Sequence, residues 1–432
     1  MEKRPDKKAK QIESMNEKER EVLLCGLEIE GSSNHKTWIP FDLLFKIFLL
    51  LPADTLCRVS CTCKTLFNMI TSPNFIEAHL RRSETVLLTL SSNYENHNKS
   101  LPFAPQQPHS QSIVYFFQLW ELHSGKSSKI PVQNLARIDS VLASCDGLVL
   151  AKMKTTRGLV VVNPSSRKHL RYPLGTAGFR PESFGFMRRG HMGEYKVVHL
   201  FRDEYLHVRC EILSLSTRSW HAVDGPPLAV HPHIILHPPV SATGAMYWLP
   251  GRSHCTYIVS LGYDNERFLI IPLPIISTKN DRLVELGGGL LSFVTHATMH
   301  LIQVWILRRD GGDVEGYWIK RYSINRNYDV TGMVPICTSG REMVFSRQRK
   351  NLLHVCDLES DEMKEVTLDT EKMNGAADKQ DEIADDEDEI ADEQDEIGGF
   401  DPEVDSVSDF TSYIPHVNSL VSLRTRYHHH HQ

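Results

Sequence analysis

Two hydrophobic periodicities divide the chain. Across residues 38–80 apolar positions recur at helical spacing: Leu44, Ile47, Phe48 and Leu51 fall at i, i+3, i+4 and i+7 and share one face. Pro40 pre-sets φ for the first turn, Asp42 sits near the positive helix end, and Pro52 stops the helix. A stripe of Leu56, Val59, Cys63, Leu66, Phe67 and Ile70 predicts a second helix after Ala53-Asp54. Thr71-Ser72-Pro73 then offers a break, a Ser N-cap and Pro at N1, opening a short third helix anchored by Phe75 and Leu80. Such a segment is too small to hold a pocket and needs a partner, so it reads as a docking module.

From Glu84 onward the period changes. ETVLLTL and SIVYFFQLW are short β-rich runs, separated by a polar, Pro-containing stretch over residues 91–111. A strand, a polar turn and a second strand then recur near Trp120, Asn163, Leu215, Tyr263, Trp318 and Asp357, at a mean interval of roughly 47 residues, within the range of propeller repeats. Gly often precedes a strand, as in Asp146-Gly147-Leu148, Gly185-Phe186 and Gly244-Ala245-Met246. Gly287-Gly288-Gly289 lacks the Lys-Ser or Lys-Thr pair of a phosphate loop and reads as a tight turn. The fold class expected is α+β multidomain: a small N-terminal three-helix module followed by an all-β propeller-like domain of six blades. Residues 1–36 are expected as a disordered or loosely helical tail, 37–82 as the helical module and 84–373 as the propeller. Residues 374–408 form an acidic disordered insertion, 409–425 a closing strand and 426–432 a tail. SYIPHVNSLVSLRT, in that closing part, could pair with ETVLLTL and remove the exposed edge of an open ring.

Charge changes this picture little. The net charge of -6 hides a run over residues 381–397 with 11 acidic and no basic side chains, which leaves the remainder at +5. The acidic run cannot order itself, and the overall sign points to neither nucleic acid nor membrane. The apolar run over residues 41–51 is broken by Asp42 and Lys46 and is far short of the roughly 20 residues of a membrane span. Residues 1–36 are rich in Lys, Glu and Arg with no secretory core, so an intracellular protein is expected, cytoplasmic and/or nuclear. The basic start, residues 3–10, matches a localisation patch or a solvated tail equally. Nine Cys without a signal peptide argue for reduced thiols, and Cys57, Cys61 and Cys63 read as packing rather than a metal site. His231-Pro232-His233 is expected in a loop, and His296 with His300 as a solvent-facing pair. There is no GxSxG, HExxH or paired CxxC, so no catalytic residue, metal site or cofactor is expected, and the terminal His428 to His431 carry no assigned role.

Ile39-Pro40, Ile47, Leu51-Pro52, Leu56, Arg58-Val59, Cys63-Lys64, Ile70, Pro73 and Phe75 resemble the F-box in its plant form; Thr62 and Leu66 stand where members often carry Val and Trp. Ser144-Cys145-Asp146-Gly147-Leu148, Asn163-Pro164-Ser165-Ser166-Arg167, Phe184-Gly185-Phe186, Tyr195-Lys196-Val197-Val198, Gly244-Ala245-Met246-Tyr247-Trp248 and Asn418-Ser419-Leu420-Val421 resemble the F-box associated domain, a kelch-like propeller. Phe184-Gly185-Phe186-Met187-Arg188 departs from that family's Phe-Gly-Phe-Gly-Tyr-Asp. The resemblance implies docking on a Skp-type adaptor, and through it on a cullin, with an unidentified target protein recruited for ubiquitination. The adaptor contact is expected at Ile39, Pro40, Leu44, Ile47, Leu51, Pro52 and Leu56, with Arg58 and Lys64 at the rim. Two other readings stay open: an enzyme with its site in the propeller channel, and an F-box scaffold that never joins a cullin.

Overall fold

A computed structural model describes residues 27–30, 36–95, 112–132, 138–154, 158–189, 193–227, 230, 232–251, 254–309, 316–347, 352–369 and 413–422. The acidic stretch, the basic start and the terminal histidines lie outside these residues. Within the expected N-terminal tail, Leu27–Glu30 instead forms a strand paired antiparallel with Lys36–Ile39.

The helical module contains four helices: α1 (Phe41–Phe48), α2 (Ala53–Val59), α3 (Lys64–Ile70) and α4 (Pro73–Leu80). The stripe expected to form one second helix is split into α2 and α3. Ser60, Cys61 and Thr62 cause the break, because their side chains turn back onto carbonyls of the preceding turn: Ser60 Oγ to Cys57 O at 2.7 Å and Thr62 Oγ1 to Val59 O at 2.8 Å. Cys63 is then extended, with φ -152° and ψ 162°, and α3 restarts out of phase. Ser72 caps α4 by accepting from Phe75 N at 3.3 Å, with Pro73 in the first turn. Leu56, Leu66, Met69, Ile70 and Phe75 form the core of the module. Phe45 meets Phe75 edge-on at 5.0 Å, and His79 Nε2 holds Leu51 O at 2.9 Å.

Six four-stranded antiparallel sheets follow. Blade 1 takes Thr85–Glu95, Ser112–Glu121 and Ser127–Pro131 from the front of the chain and its innermost strand, Ile414–Val417, from the end. Blades 2 to 6 occupy residues 138–173, 179–223, 240–272, 282–325 and 334–367, each running from innermost to outermost strand. The returning strand pairs Ile414 with Leu88 and Val417 with Thr85, closing the ring. One apolar cluster fills the space between each pair of neighbouring blades. Middle strands are therefore covered on both faces, which is why residues 148–151 and 159–162, within the strands Leu148–Met153 and Gly158–Asn163, read as continuous apolar runs. Two-residue turns link the inner two strands: Asp146-Gly147 and Thr243-Gly244 both hold positive φ, as primed hairpin turns require. Gly287 to Gly289 form the corresponding turn of blade 5, between Leu286 and Leu290. Outer strands are tied blade to blade: Trp220 Nε1 donates to Pro173 O at 3.0 Å and Trp318 Nε1 to Pro272 O at 2.7 Å.

His416, on the closing strand, is buried and shares a proton with Ser144 Oγ through Nδ1 at 2.8 Å. Burial pushes its pKa down to about 3. Above pH 6.5 the ring is neutral folded or unfolded. Below that, the unfolded chain takes up a proton that the folded chain refuses until about pH 3, so stability falls as pH falls through this window. The loss is up to about 1.4 kcal/mol per pH unit from this group. Thermal midpoints measured from pH 7 to 5 should therefore fall less steeply in a His416→Gln variant than in the wild type.

Candidate docking surfaces

The first helix is apolar on nearly every side, and its two faces have different neighbours. Leu44 is only 6% exposed, and Phe41, Phe45 and Phe48 pack against the module's core. On the other side, Leu43, Ile47 and Leu50, at i, i+4 and i+7, are 49, 42 and 67% exposed. Such a helix needs a second partner for its outward stripe. Phe67 on α3 is also exposed, a consequence of the phase change at Ser60 to Thr62.

Against the residues expected at the adaptor contact, the structure makes two corrections. Leu44 and Leu56 lie inside the module's own core, Leu56 with no exposure at all, and cannot reach a partner from there. Of the others, Pro40, Ile47, Pro52 and Lys64 are exposed, and Ile39 and Leu51 are half-buried. Arg58 is exposed and pairs with Asp54 at 3.5 Å; with Leu50, Leu51 and Pro52 it lines a cleft of about 1140 Å³ between the module and blades 1 and 2. Leu43, Leu50 and Phe67 were not expected at the surface; the one available signal is that a helix reading FDLLFKIF has too many apolar residues for one face.

The register fixes which loops share a face of the propeller. The helical module enters at Thr85, opposite Val417, so turns between the first two and the last two strands of each blade lie on its side. Turns between the middle strands, and the connections to the next blade, lie on the far side. The exposed Tyr205 and Leu206 of blade 3, Ile276 after blade 4, and Met299 and Tyr328 of blade 5 are all on far-side loops. The other large exposed apolar side chains of the described propeller, Ile270, Tyr317 and Ile319, are on outermost strands. None is on a turn facing the helical module.

His296 corrects another expectation. It is buried, not solvent-facing: Asp281 accepts from its backbone N at 2.9 Å, its Nδ1 at 3.0 Å and Thr295 Oγ1 at 2.7 Å. Burial by itself would raise the Asp281 carboxyl, but the donors of His296 and those of Thr278, its N and Oγ1 both at 2.7 Å, hold it below the usual range. His300 is exposed and contacts Tyr328 O at 3.1 Å. Among the described residues no group of three or more His, Cys, Asp or Glu could hold a metal, and no helix is long and apolar enough to cross a membrane.

A helical docking module fused to a closed six-bladed ring defines the class: an F-box protein with a propeller. The chain belongs to the family described as F-box associated beta propeller domain, whose family model matches residues 117–422, and the F-box domain model matches residues 37–77. Among its relatives in Arabidopsis thaliana, F-box protein At5g10340 is 28% identical over 273 residues, covering 56% of this chain and 59% of that protein. F-box/LRR-repeat protein At2g43260 is 24% identical over 79% of this chain and 82% of its own length, and F-box protein CPR1 is 24% identical over 78% and 83%.

Proposed function

We propose that this chain is the substrate-recognition subunit of a ubiquitin ligase assembled on a Skp-type adaptor and a cullin. The outward stripe of Leu43, Ile47 and Leu50, rimmed by Pro40, Pro52 and Lys64, takes the adaptor. The far-side loops of the propeller take the target protein. The chain itself performs no bond chemistry; it raises the effective concentration of a target lysine near the charged conjugating enzyme, in the cytoplasm or nucleus. The observation carrying this reading is the polarised exposure of apolar side chains, one set on the F-box and another on the face opposite to it.

The test is affinity capture of the full-length protein from plant cells under proteasome inhibition, with the retained proteins identified by mass spectrometry. A Tyr205→Asp, Met299→Asp, Tyr328→Asp variant should keep adaptor and cullin and lose a ubiquitinated companion by about tenfold or more, as removal of interface anchors does. Equal retention of every companion by that variant would remove the far side as the target face. Adaptor without cullin would instead make the protein a scaffold.

A further inference from the structure

The sequence motifs of the F-box associated domain are absorbed by neither docking surface. In the fold all but Gly244 to Trp248, which lies in blade 4, converge on one place, beneath the F-box at blades 2 and 3. Asn163 is fully buried, and its Nδ2 donates to Ser419 O at 3.1 Å and to Val421 O at 2.8 Å, while its Oδ1 accepts from Ser166 N at 3.1 Å. Ser83, just past α4, donates to Asn418 O at 3.1 Å. Leu420 packs against the F-box core and Val421 into the cluster between blades 2 and 3, so the short C-terminal return is wedged between the two bodies. Gly147, at φ +78°, admits no side chain, because a Cβ there would overlap Ser419.

A second tie lies alongside. Arg188, where the motif departs from the family's usual residues, reaches Asp146 Oδ2 through Nε at 2.9 Å and Glu77 Oε2 of α4 through Nη2 at 3.5 Å. Its guanidinium also lies 5.4 Å from the centre of the Tyr195 ring, and Tyr195 OH donates to Asp146 at 3.1 Å. Arg188 is 11% and Glu77 17% exposed, so this pair is screened far less than a surface bridge.

We propose that these segments are an orientation lock that holds the F-box at one angle to the propeller, with Asn163 and Arg188 as positioning residues. Two domains joined by a short link swivel by default unless their interface is extensive. Here a buried amide, a wedge and a charge-assisted bridge remove that freedom. Because residues 418–421 directly follow the ring-closing strand, closing the propeller and fixing the F-box are one event. The functional consequence rests on the ligase reading above: a fixed angle keeps the target and the conjugating enzyme at one separation instead of many.

Single-molecule energy transfer in the full-length protein tests this, with dyes incorporated at Asn68 on α3 and Glu204 on a far-side turn, both exposed. The wild type should give one narrow distribution. Asn163→Ala and Glu77→Ala should each broaden it or add a second population, and Arg188→Lys should broaden it less than Arg188→Ala. Glu77→Ala removes no propeller core atom, so it reports even where Asn163→Ala fails to fold. Thermal midpoint and adaptor capture, measured on the same samples, separate swivelling from unfolding. Unchanged distributions in both Glu77→Ala and Arg188→Ala would overturn the lock, whereas a wild type that is narrow yet binds no adaptor would sink the ligase reading and leave the lock standing.

Discussion

Replacing Ile47 and Leu50 together by Asp should abolish capture of a Skp-type adaptor while the propeller remains folded. Both side chains point outward from the first helix and its C-terminal turn, at 42 and 67% exposure, so neither contributes much to the module's own core. Both are already partly covered, so burying the rest of each against a partner is worth about 1–2 kcal/mol. Losing both costs on the order of 10 to 10³ in affinity, and two carboxylates placed in a desolvated contact add to that. Leu44→Ala and Leu56→Ala provide the contrast. Each empties a buried position and should cost about 2–5 kcal/mol of F-box stability, so adaptor binding fails there through unfolding and is accompanied by loss of helical signal. Titrating purified adaptor against the variants, with circular dichroism on the same samples, distinguishes the two. Wild-type affinity in Ile47→Asp, Leu50→Asp would refute the docking stripe.

Ending the chain at Asp369 should open the ring. That truncation removes Ile414–Val417, the innermost strand of blade 1, and leaves the inner edge of Thr85–Glu95 unpaired along the channel. It also takes away Leu420, half-buried against the F-box core, and Val421, buried in the cluster between blades 2 and 3. Asn163 would be left with a buried amide that no longer has its two acceptors, at about 1–3 kcal/mol. Together with the lost apolar burial this comes to on the order of 5 kcal/mol or more, which for a chain of this size lowers the midpoint by about 5 °C or more. Scanning calorimetry should show a lower, broader transition, and a synthetic peptide spanning residues 413–422 should restore part of the loss. A truncated protein with the wild-type midpoint and sharpness would show that the closing strand is dispensable.

The sequence carries much of this architecture because local rules and the final fold agree there. Residues 148–151 and 159–162 are apolar throughout because a blade's middle strands are buried on both faces, and the polar turn after each third strand marks the repeat. Ser72-Pro73 opens a helix in the chain as in the fold, since a cap and a preset φ act within one turn. The split between α2 and α3 was present in the letters Ser60, Cys61 and Thr62, yet the continuing apolar stripe outweighed three small polar side chains.

Other features depend on distant partners. His296 looks like a solvent-facing partner of His300 until Asp281, from the connection after blade 4, is folded against it. Leu43 and Leu44 are adjacent leucines; only the folded arrangement leaves one 49% exposed and the other 6%. Asn163 finds its acceptors 256 and 258 positions away. By itself the sequence determined the helical module, the strand repeat and the returning strand, since periodicity and turn chemistry operate over a few residues. The tertiary structure alone decided which apolar residues are left exposed, and that most of the weak motifs meet beneath the F-box, because a side chain's surroundings are set by elements far along the chain.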